Sequence, residues 1–133
     1  MAGSASDYLE KKLLDHSLGV AAYTMPANVY LALFTADPGE AGPGTEVAGN
    51  GYARQATAFA AAAAVGGIMT AKNSAAKTFT AAGGAWGTIT HWALFDALSA
   101  GNMLWHADLT ASRTIGDGDQ LTFAIDALAI AAD

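Results

Sequence analysis

The sequence contains no cysteine, and only 14% of its 133 residues are Asp, Glu, Lys or Arg. The missing thiols exclude a disulfide framework, thiol catalysis and zinc–thiolate sites. A charged fraction well below the usual value of about a quarter is typical of a surface that partners cover, or of an alanine- and glycine-rich composition. The net charge is −6, and this excess of acid opposes direct binding to the phosphate backbone of nucleic acids.

The chain also lacks a long, strongly apolar segment. Its most apolar run is ATAFAAAAAVGGIM (residues 56–69), which is alanine-rich and interrupted by Gly66 and Gly67. A membrane-spanning helix needs about 20 consecutive apolar residues. The N-terminal MAGSASDYLEKK has no basic start followed by an apolar stretch, as a secretory signal would. We therefore expect a protein without a membrane partner that is made in the cytoplasm.

The first patterned segment, SDYLEKKLLDHSLG (residues 6–19), predicts a helix. Asp7 is placed to cap it, with Glu10 three residues later to complete a capping box, and Gly19 to end it. Its leucines recur at helical spacing and form one apolar stripe: Leu9, Leu13, Leu14 and Leu18. A helix of about a dozen residues is marginal alone in water. The stripe is therefore expected to dock on its own domain or on another subunit, and its four leucines are interface candidates.

After Pro26 the apolar residues recur at every second position, which is typical of strands. The predicted strands are NVYLALFT (28–35), YARQATAF (52–59), a short stretch around Phe79, GTITHWALFDA (87–97), MLWHADLT (103–110) and the closing QLTFAIDALAI (120–130). The segment 60–76 shows no clear periodicity and reads as irregular strand and loop. The pattern predicts a mainly β fold, an antiparallel β-sandwich or partly closed barrel, with one N-terminal amphipathic helix. The predicted organisation is a helix or arm over residues 1–19 and a single β domain over residues 20–133.

All three tryptophans and two of the three histidines lie in WGTITHWALFDALSAGNMLWH (residues 86–106). The two strands joined by ALSAGN should pair as a hairpin. Strict alternation places Ile89 on the same face as Phe95, and Trp92 on the opposite face. Trp86, Trp92 and Trp105, with Phe95, could then form aromatic contacts across the strands. Trp92 and Trp105 are also candidates for an interface.

A catalytic interpretation of this segment uses His91 and His106 with Asp96 or Asp108, as a base and the group that orients it. The two histidines could instead be metal ligands. Neither interpretation has support beyond residue type, because His16 lies in the predicted helix and no nucleophile sits on a glycine-flanked turn. Packing or an interface role is favoured, and no catalytic, cofactor-binding or metal-ligating residue is assigned.

Two smaller features allow alternatives. GDGD (residues 116–119) has the alternating aspartates of a calcium loop, but it lacks the further ligands and the distal glutamate, so a charged β-turn is favoured. Arg54 stands within a predicted strand and is one of only six basic residues. It is read as a buried or interfacial ion-pair partner, hence an interface candidate, or as an exposed strand arginine.

Several stretches occur in an order that resembles a family of small virion proteins of tailed bacteriophages, commonly labelled phage tail fibre proteins. These are SDYLEKKLLDH, NVYLALFTADP, GTEVAGNGYARQ, WGTITHWALFDA, GNMLWHADLT and GDGDQLTFAIDALAI. The resemblance covers nearly the whole chain, and its most specific parts are YLALFTADP…GTEV…GYAR and the run beginning at Trp86. The middle segment AFAAAAAVGGIMTAK is richer in alanine than the family pattern.

The resemblance implies a structural virion subunit rather than an enzyme, with no catalytic residue to carry over and no cofactor. We expect a capsid decoration (cement) protein that binds the major capsid protein on the outer head surface. This reading follows from the single compact domain, the separate helix and the small, weakly charged side chains. The alternative is a short tail fibre or tail-tip protein that contacts tail proteins, with a receptor- or carbohydrate-binding β domain in which Trp92 or Trp105 stacks on a sugar. Either placement implies a virion component assembled in the bacterial cytoplasm and a homo-oligomer, for which we predict a trimer.

Overall fold

The computed structural model describes residues 3–42 and 44–132. These residues form one helix and ten strands: β1 (Ser4–Ala5), α1 (Asp7–Ser17), β2 (Val29–Phe34), β3 (Gln55–Thr57), β4 (Ala63–Val65), β5 (Ile68–Lys72), β6 (Lys77–Thr80), β7 (Gly87–Phe95), β8 (Met103–Ile115), β9 (Gln120–Phe123) and β10 (Ala129–Ala132). The helix and the strands β2, β3 and β6 to β10 occur in the predicted order, whereas β1, β4 and β5 were not predicted as regular strands.

The largest sheet has five strands in the order β1-β8-β7-β2-β3, and all its pairings are antiparallel. The predicted hairpin between β7 and β8 forms its centre. β2 lies inside the sheet, and its last four residues, 31–34, are fully buried. This burial explains why the sequence of β2 is apolar on both faces.

Two smaller antiparallel sheets complete the fold, one with the order β10-β5-β4 and one formed by β6 and β9. The closing segment of the chain therefore forms two short strands. The alanine-rich segment predicted to be irregular contains a regular hairpin, in which Val65 pairs with Ile68. Gly66 and Gly67, with φ of 60° and 85°, make its two-residue turn, because two successive positive φ angles are what such a tight hairpin requires.

The five-stranded sheet carries a hydrophobic cluster on each face. The large core contains side chains of β2, β6, β7, β8, β9 and β10, so it fills the space between the three sheets. The small core lies on the opposite face of β2 and β7 and contains Ala32, Phe34, Ala93, Phe95 and Met103. In the small core the rings of Phe34 and Phe95 stack with centroids 6.1 Å apart.

The predicted strict alternation along β7 is wrong at one point. The pairing with β8 shifts register between Ile89 and His91, so a β-bulge changes the phase of the strand. As a result Ile89 faces the large core together with Trp92, while Phe95 lies in the small core. Ile89 and Phe95, expected on one face, are on opposite faces.

The N-cap of helix α1 lies one residue earlier than predicted. Ser6, not Asp7, is the N-cap, and its Oγ accepts a hydrogen bond from the Leu9 N–H at 3.2 Å. Ser6 is 2% exposed and its hydroxyl also donates to the Met103 carbonyl, a buried position that suits a small uncharged side chain and not a carboxylate. Gly19, with φ of 77°, follows the helix end as predicted.

The N-terminal segment packs on the β strands of its own chain. β1 pairs with β8, and Gly3 bridges to Ile130 of β10. The predicted mainly β fold is confirmed, with 44% strand, 9% helix and antiparallel sheets. The strands of the described ranges do not close into a barrel. Helix α1, the helix found in residues 3–42 and 44–132, is not long and apolar enough to cross a membrane.

Candidate functional site

Helix α1 exposes a set of leucines that we call the leucine face: Leu13, Leu14 and Leu18. They are 42%, 60% and 74% exposed. Val20 and Met25, in the segment after the helix, are 72% and 82% exposed. Clusters of large exposed apolar side chains are uncommon on monomeric proteins and mark contact surfaces.

The leucine face is exposed, but the helix that carries it is anchored to the fold. Leu9, the fourth leucine of the predicted stripe, is 3% exposed and anchors the helix in the protein interior. The following segment is also attached to the helix, because the Tyr23 N–H donates to His16 Nδ1 at 3.0 Å. The predicted stripe therefore divides into one buried anchor and three leucines that no described residue covers.

Arg54 lies at the centre of a buried polar cluster. Its Nε and Nη2 donate to the two carboxylate oxygens of Glu46, both at 2.8 Å. Its Nη1 donates to the carbonyls of Ala97 and Ala100 at 2.9 Å and 2.7 Å, and the guanidinium lies 3.8 Å from the ring centroid of Phe95. The side chain is only 7% exposed. Of the two interpretations left open for Arg54, the arrangement is that of a buried ion pair, and this cluster ties the β7–β8 turn to the body of the protein.

Tyr52 extends the same cluster. Its hydroxyl donates to Glu46 Oε2 at 2.7 Å and accepts the backbone N–H of Leu33 at 3.0 Å. Burial raises the pKa of the Tyr52 hydroxyl, and the hydrogen bond to Glu46 raises it further. The phenol therefore stays protonated and continues to donate to the carboxylate. Its ring meets Trp86 edge-on at 5.6 Å.

The tryptophans serve mainly as packing residues. Trp92 is 4% exposed and Trp86 7%, and both belong to the large core, against which Trp105 is partly buried. The expected aromatic contacts across the hairpin do not form between tryptophans: among the described residues, Trp86 pairs with Tyr52 and Phe95 pairs with Phe34. Of the seven interface candidates, Leu9, Arg54 and Trp92 are buried within this chain and offer no surface to a partner.

The two histidines of the hairpin line one shallow depression with Ser4, Asp37 and Asp108. His91 Nδ1 shares a 2.8 Å hydrogen bond with the hydroxyl of Thr90. Within residues 3–42 and 44–132, neither histidine belongs to a group of three metal-ligating side chains. The group of that kind found in the described ranges is Asp7, Glu10 and Glu40, all exposed. The histidines therefore lie near one another without the geometry of a metal centre.

The aspartates of GDGD act as turn residues. Asp119 Oδ2 accepts the N–H of Gly116 at 2.8 Å, and Asp117 Oδ1 accepts the N–H of Gly83 at 3.0 Å. The carboxylates are occupied by backbone donors, which is how aspartate stabilises tight turns. This arrangement agrees with the charged β-turn favoured from the sequence.

Sequence reasoning missed the partners of Arg54. Glu46, which accepts from both Arg54 and Tyr52, occurs eight residues before the arginine in the quoted run GTEVAGNGYARQ. A glycine-rich loop separates the two, and no helical or strand spacing joins them. Asn73 was missed as well. It is 0% exposed, and its side chain hydrogen-bonds Ala75, Ala124 and Leu128.

The protein is therefore a small antiparallel β protein. Its buried polar clusters stabilise the fold, and its exposed helix face is apolar. Residues 4–131 match the family described as Podophage GP4 fiber I protein gp80. The chain therefore belongs to this family, which is a phage virion family of the fibre type. No curated protein matches the chain. The predicted resemblance to phage tail fibre proteins is confirmed.

Proposed function

We propose that the protein is a non-enzymatic structural subunit of a podophage fibre, which attaches to a neighbouring tail protein through the leucine face. The family match supports the fibre assignment. The observation that carries the mode of attachment is the exposure of Leu13, Leu14 and Leu18 on a helix anchored by Leu9. Full burial of one leucine side chain contributes about 1.5–3 kcal/mol, so three leucines on an anchored helix form an effective contact.

A second candidate is the capsid decoration protein expected from the sequence, with the major capsid protein as its partner. The compact form favours it, since the longest helix of the described residues has 11 residues and the strands form no extended shaft. We place it second because the family description names a fibre. Both candidates are virion structural proteins, and both are proposed as homo-oligomers, for which the trimer stays a prediction.

A receptor- or carbohydrate-binding version of the fibre proposal needs an exposed aromatic platform. Trp92 is too buried to provide one, at 4% exposure, which leaves the partly buried Trp105. Stacking on a sugar requires an accessible ring face. We therefore favour attachment over recognition as the role of this chain.

The leucine face predicts a selective loss of incorporation. Changing Leu14 and Leu18 together to glutamine should keep the helix, because glutamine is a good helix former. Each position is exposed, so the free energy of unfolding should change by less than about 0.5 kcal/mol per substitution. Phage particles made without the wild-type gene and supplied with the double variant should lack the protein, as measured by immunoblotting of purified particles.

The matched control is a chain with Leu98 and Ile125 changed to glutamine. These residues are each 58% exposed, and both lie outside the helix. Control particles should contain the normal amount of the protein. Normal incorporation of the Leu14→Gln, Leu18→Gln chain would show that the leucine face is not the attachment surface.

A further inference from the structure

The tip of the hairpin formed by β4 and β5 projects into solvent. All ten residues from 60 to 69 are exposed, and they include the large apolar side chains of Val65, Ile68 and Met69, at 51%, 39% and 56% exposure. Val65 pairs directly with Ile68, and Ala64 with Met69. Because side chains alternate along a strand, these two pairs lie on opposite faces, so the hairpin exposes apolar groups on both sides.

The hairpin also lies in a part of the chain without charge. No Asp, Glu, Lys or Arg occurs between Arg54 and Lys72. Proteins usually protect an exposed edge strand with charged residues, proline or a bulge, and residues 55–71 contain no charge and no proline. The rest of the molecule carries the net charge of −6, so contact through this uncharged hairpin brings no like charges of the two copies directly together.

β4 is an edge strand with free backbone groups. Among the strands of the described residues it pairs with β5 alone, in the order β10-β5-β4. In a hairpin with a two-residue turn, the residues flanking the turn form a hydrogen-bonded pair, and such pairs alternate with non-hydrogen-bonded ones. Val65 and Ala63 therefore direct their N–H and C=O groups to β5, while the N–H and C=O of Ala64 point away from the sheet.

The other described edges are less open. β1 is two residues long, and Gly3 bridges to Ile130 beside β10. β3 lies next to Arg54 in the chain and carries Gln55, whose amide donates to the Thr78 carbonyl. β6 and β9 form a two-stranded sheet, and their exposed side chains are threonine and glutamine rather than large apolar groups. Short edges and polar flanks are features that prevent edge pairing. β4 is the edge that combines free backbone groups, exposed apolar side chains and no charge.

We propose that β4 pairs antiparallel with β4 of a second copy of this chain, which joins the two three-stranded sheets into one continuous sheet. The free edge requires an extended strand as its partner. An identical strand fits because β4 and its approach are built of alanine, so no bulky side chain obstructs it, and the two strands oppose no like charges. The contact is isologous and has two-fold symmetry. It is independent of the fibre assignment and of the leucine face.

The register of the proposed pairing follows from which backbone groups point away from β5. The pairing extends beyond β4 to the two alanines before it, residues 61 and 62. Pairing of residues 61–65 with the same residues of the second copy places Ala63 opposite its own copy at the two-fold axis. There the two residues form a non-hydrogen-bonded pair with Cα atoms about 4.5 Å apart. This spacing is within the range of about 4.4–6.8 Å that a disulfide spans. The wild-type chain has no cysteine, so a single introduced cysteine can form a protein disulfide only with the same residue of a second copy.

The first experiment compares Ala63→Cys with Ala56→Cys under mild oxidation of the purified full chain. Ala56 is a matched control, because it is an exposed alanine on the edge strand β3. The proposal expects disulfide-linked dimers of the Ala63→Cys chain to form at least about tenfold faster, since pre-associated thiols react as an intramolecular pair. Equal rates for the two variants would overturn it.

The second experiment measures the self-association of Ala64→Pro by analytical ultracentrifugation, with circular dichroism to follow the fold. Proline removes the outward N–H of Ala64 without removing a bond to β5, and such a position tolerates proline on an edge strand. The dissociation constant of the dimer should rise at least about tenfold. Ala63→Lys places two like charges opposite each other at the axis, so it should also raise the dissociation constant of the dimer. This variant keeps the test valid if Ala64→Pro does not fold.

A monomeric wild-type chain at the highest attainable concentration, or a dimer that persists in Ala63→Lys, contradicts the proposal. The Leu14→Gln, Leu18→Gln chain should dimerise like the wild type. The two proposals can therefore fail separately. A chain that dimerises but is not incorporated into virions has lost only the leucine-face contact, and a chain that is incorporated but does not dimerise has lost only the β4 contact.

Discussion

Replacement of Trp92 by alanine is expected to destabilise the fold by about 3–5 kcal/mol, the range for truncating a large buried aromatic residue. Trp92 is 4% exposed in the large core, and its backbone neighbours in the sheet are Leu33 and Ala107. The large core cannot collapse easily into the space left by the indole, because Trp92 lies on a central strand that is paired on both sides. Urea unfolding followed by circular dichroism measures the change in the free energy of unfolding.

The matched control is Trp105→Ala. Trp105 lies on the neighbouring strand and packs against the same core, but it is only partly buried, so its removal should cost less than half as much. A Trp92→Ala chain that is as stable as the wild type would show that the tryptophan is a surface residue, and would restore the carbohydrate-binding interpretation.

The second large effect is expected at Arg54. Alanine at this position leaves Glu46 partly buried without its counter-ion, and leaves the carbonyls of Ala97 and Ala100 without their donor. Removal of one partner of a buried ion pair costs about 3–5 kcal/mol. Lysine should rescue only part of this loss, since it has no planar fork to bind both carboxylate oxygens. The free energy of unfolding from urea titration again gives the measurement.

Arg113→Ala is the control for Arg54, because Arg113 is an exposed arginine on β8. Its loss should change the free energy of unfolding by less than about 0.5 kcal/mol. Equal effects of the two substitutions would mean that the buried cluster around Arg54 contributes nothing beyond loss of a positive charge.

Local patterns in the sequence were sufficient to predict much of the fold. The leucine spacing predicted helix α1, and alternation with turn residues predicted the positions of β2, β6 and the β7–β8 hairpin. The errors were also local. The cap lies at Ser6 because that position is buried and Asp7 is exposed, and burial could not be known before the fold. No residue type near Thr90 indicates the bulge, so we predicted strict alternation along the whole of β7.

The tertiary contacts could not be predicted in the same way. Arg54 was identified as an ion-pair candidate, but its acceptors come from residue 46 and from a turn more than 40 residues later in the chain. The leucine stripe was predicted correctly as a stripe, whereas its division into a buried Leu9 and an exposed leucine face depends on how the helix sits on β8. The hairpin of β4 and β5 was missed because alanine and glycine carry little periodic signal.

The number and position of copies of this protein in purified phage particles test the central proposal most directly. Quantitative mass spectrometry against the major capsid protein, combined with immunogold labelling, gives both values in one preparation. A fibre subunit predicts far fewer copies than the major capsid protein and label confined to the tail end of the particle. Copies comparable in number to the major capsid protein, with label distributed over the head, would contradict the fibre assignment and establish the decoration role.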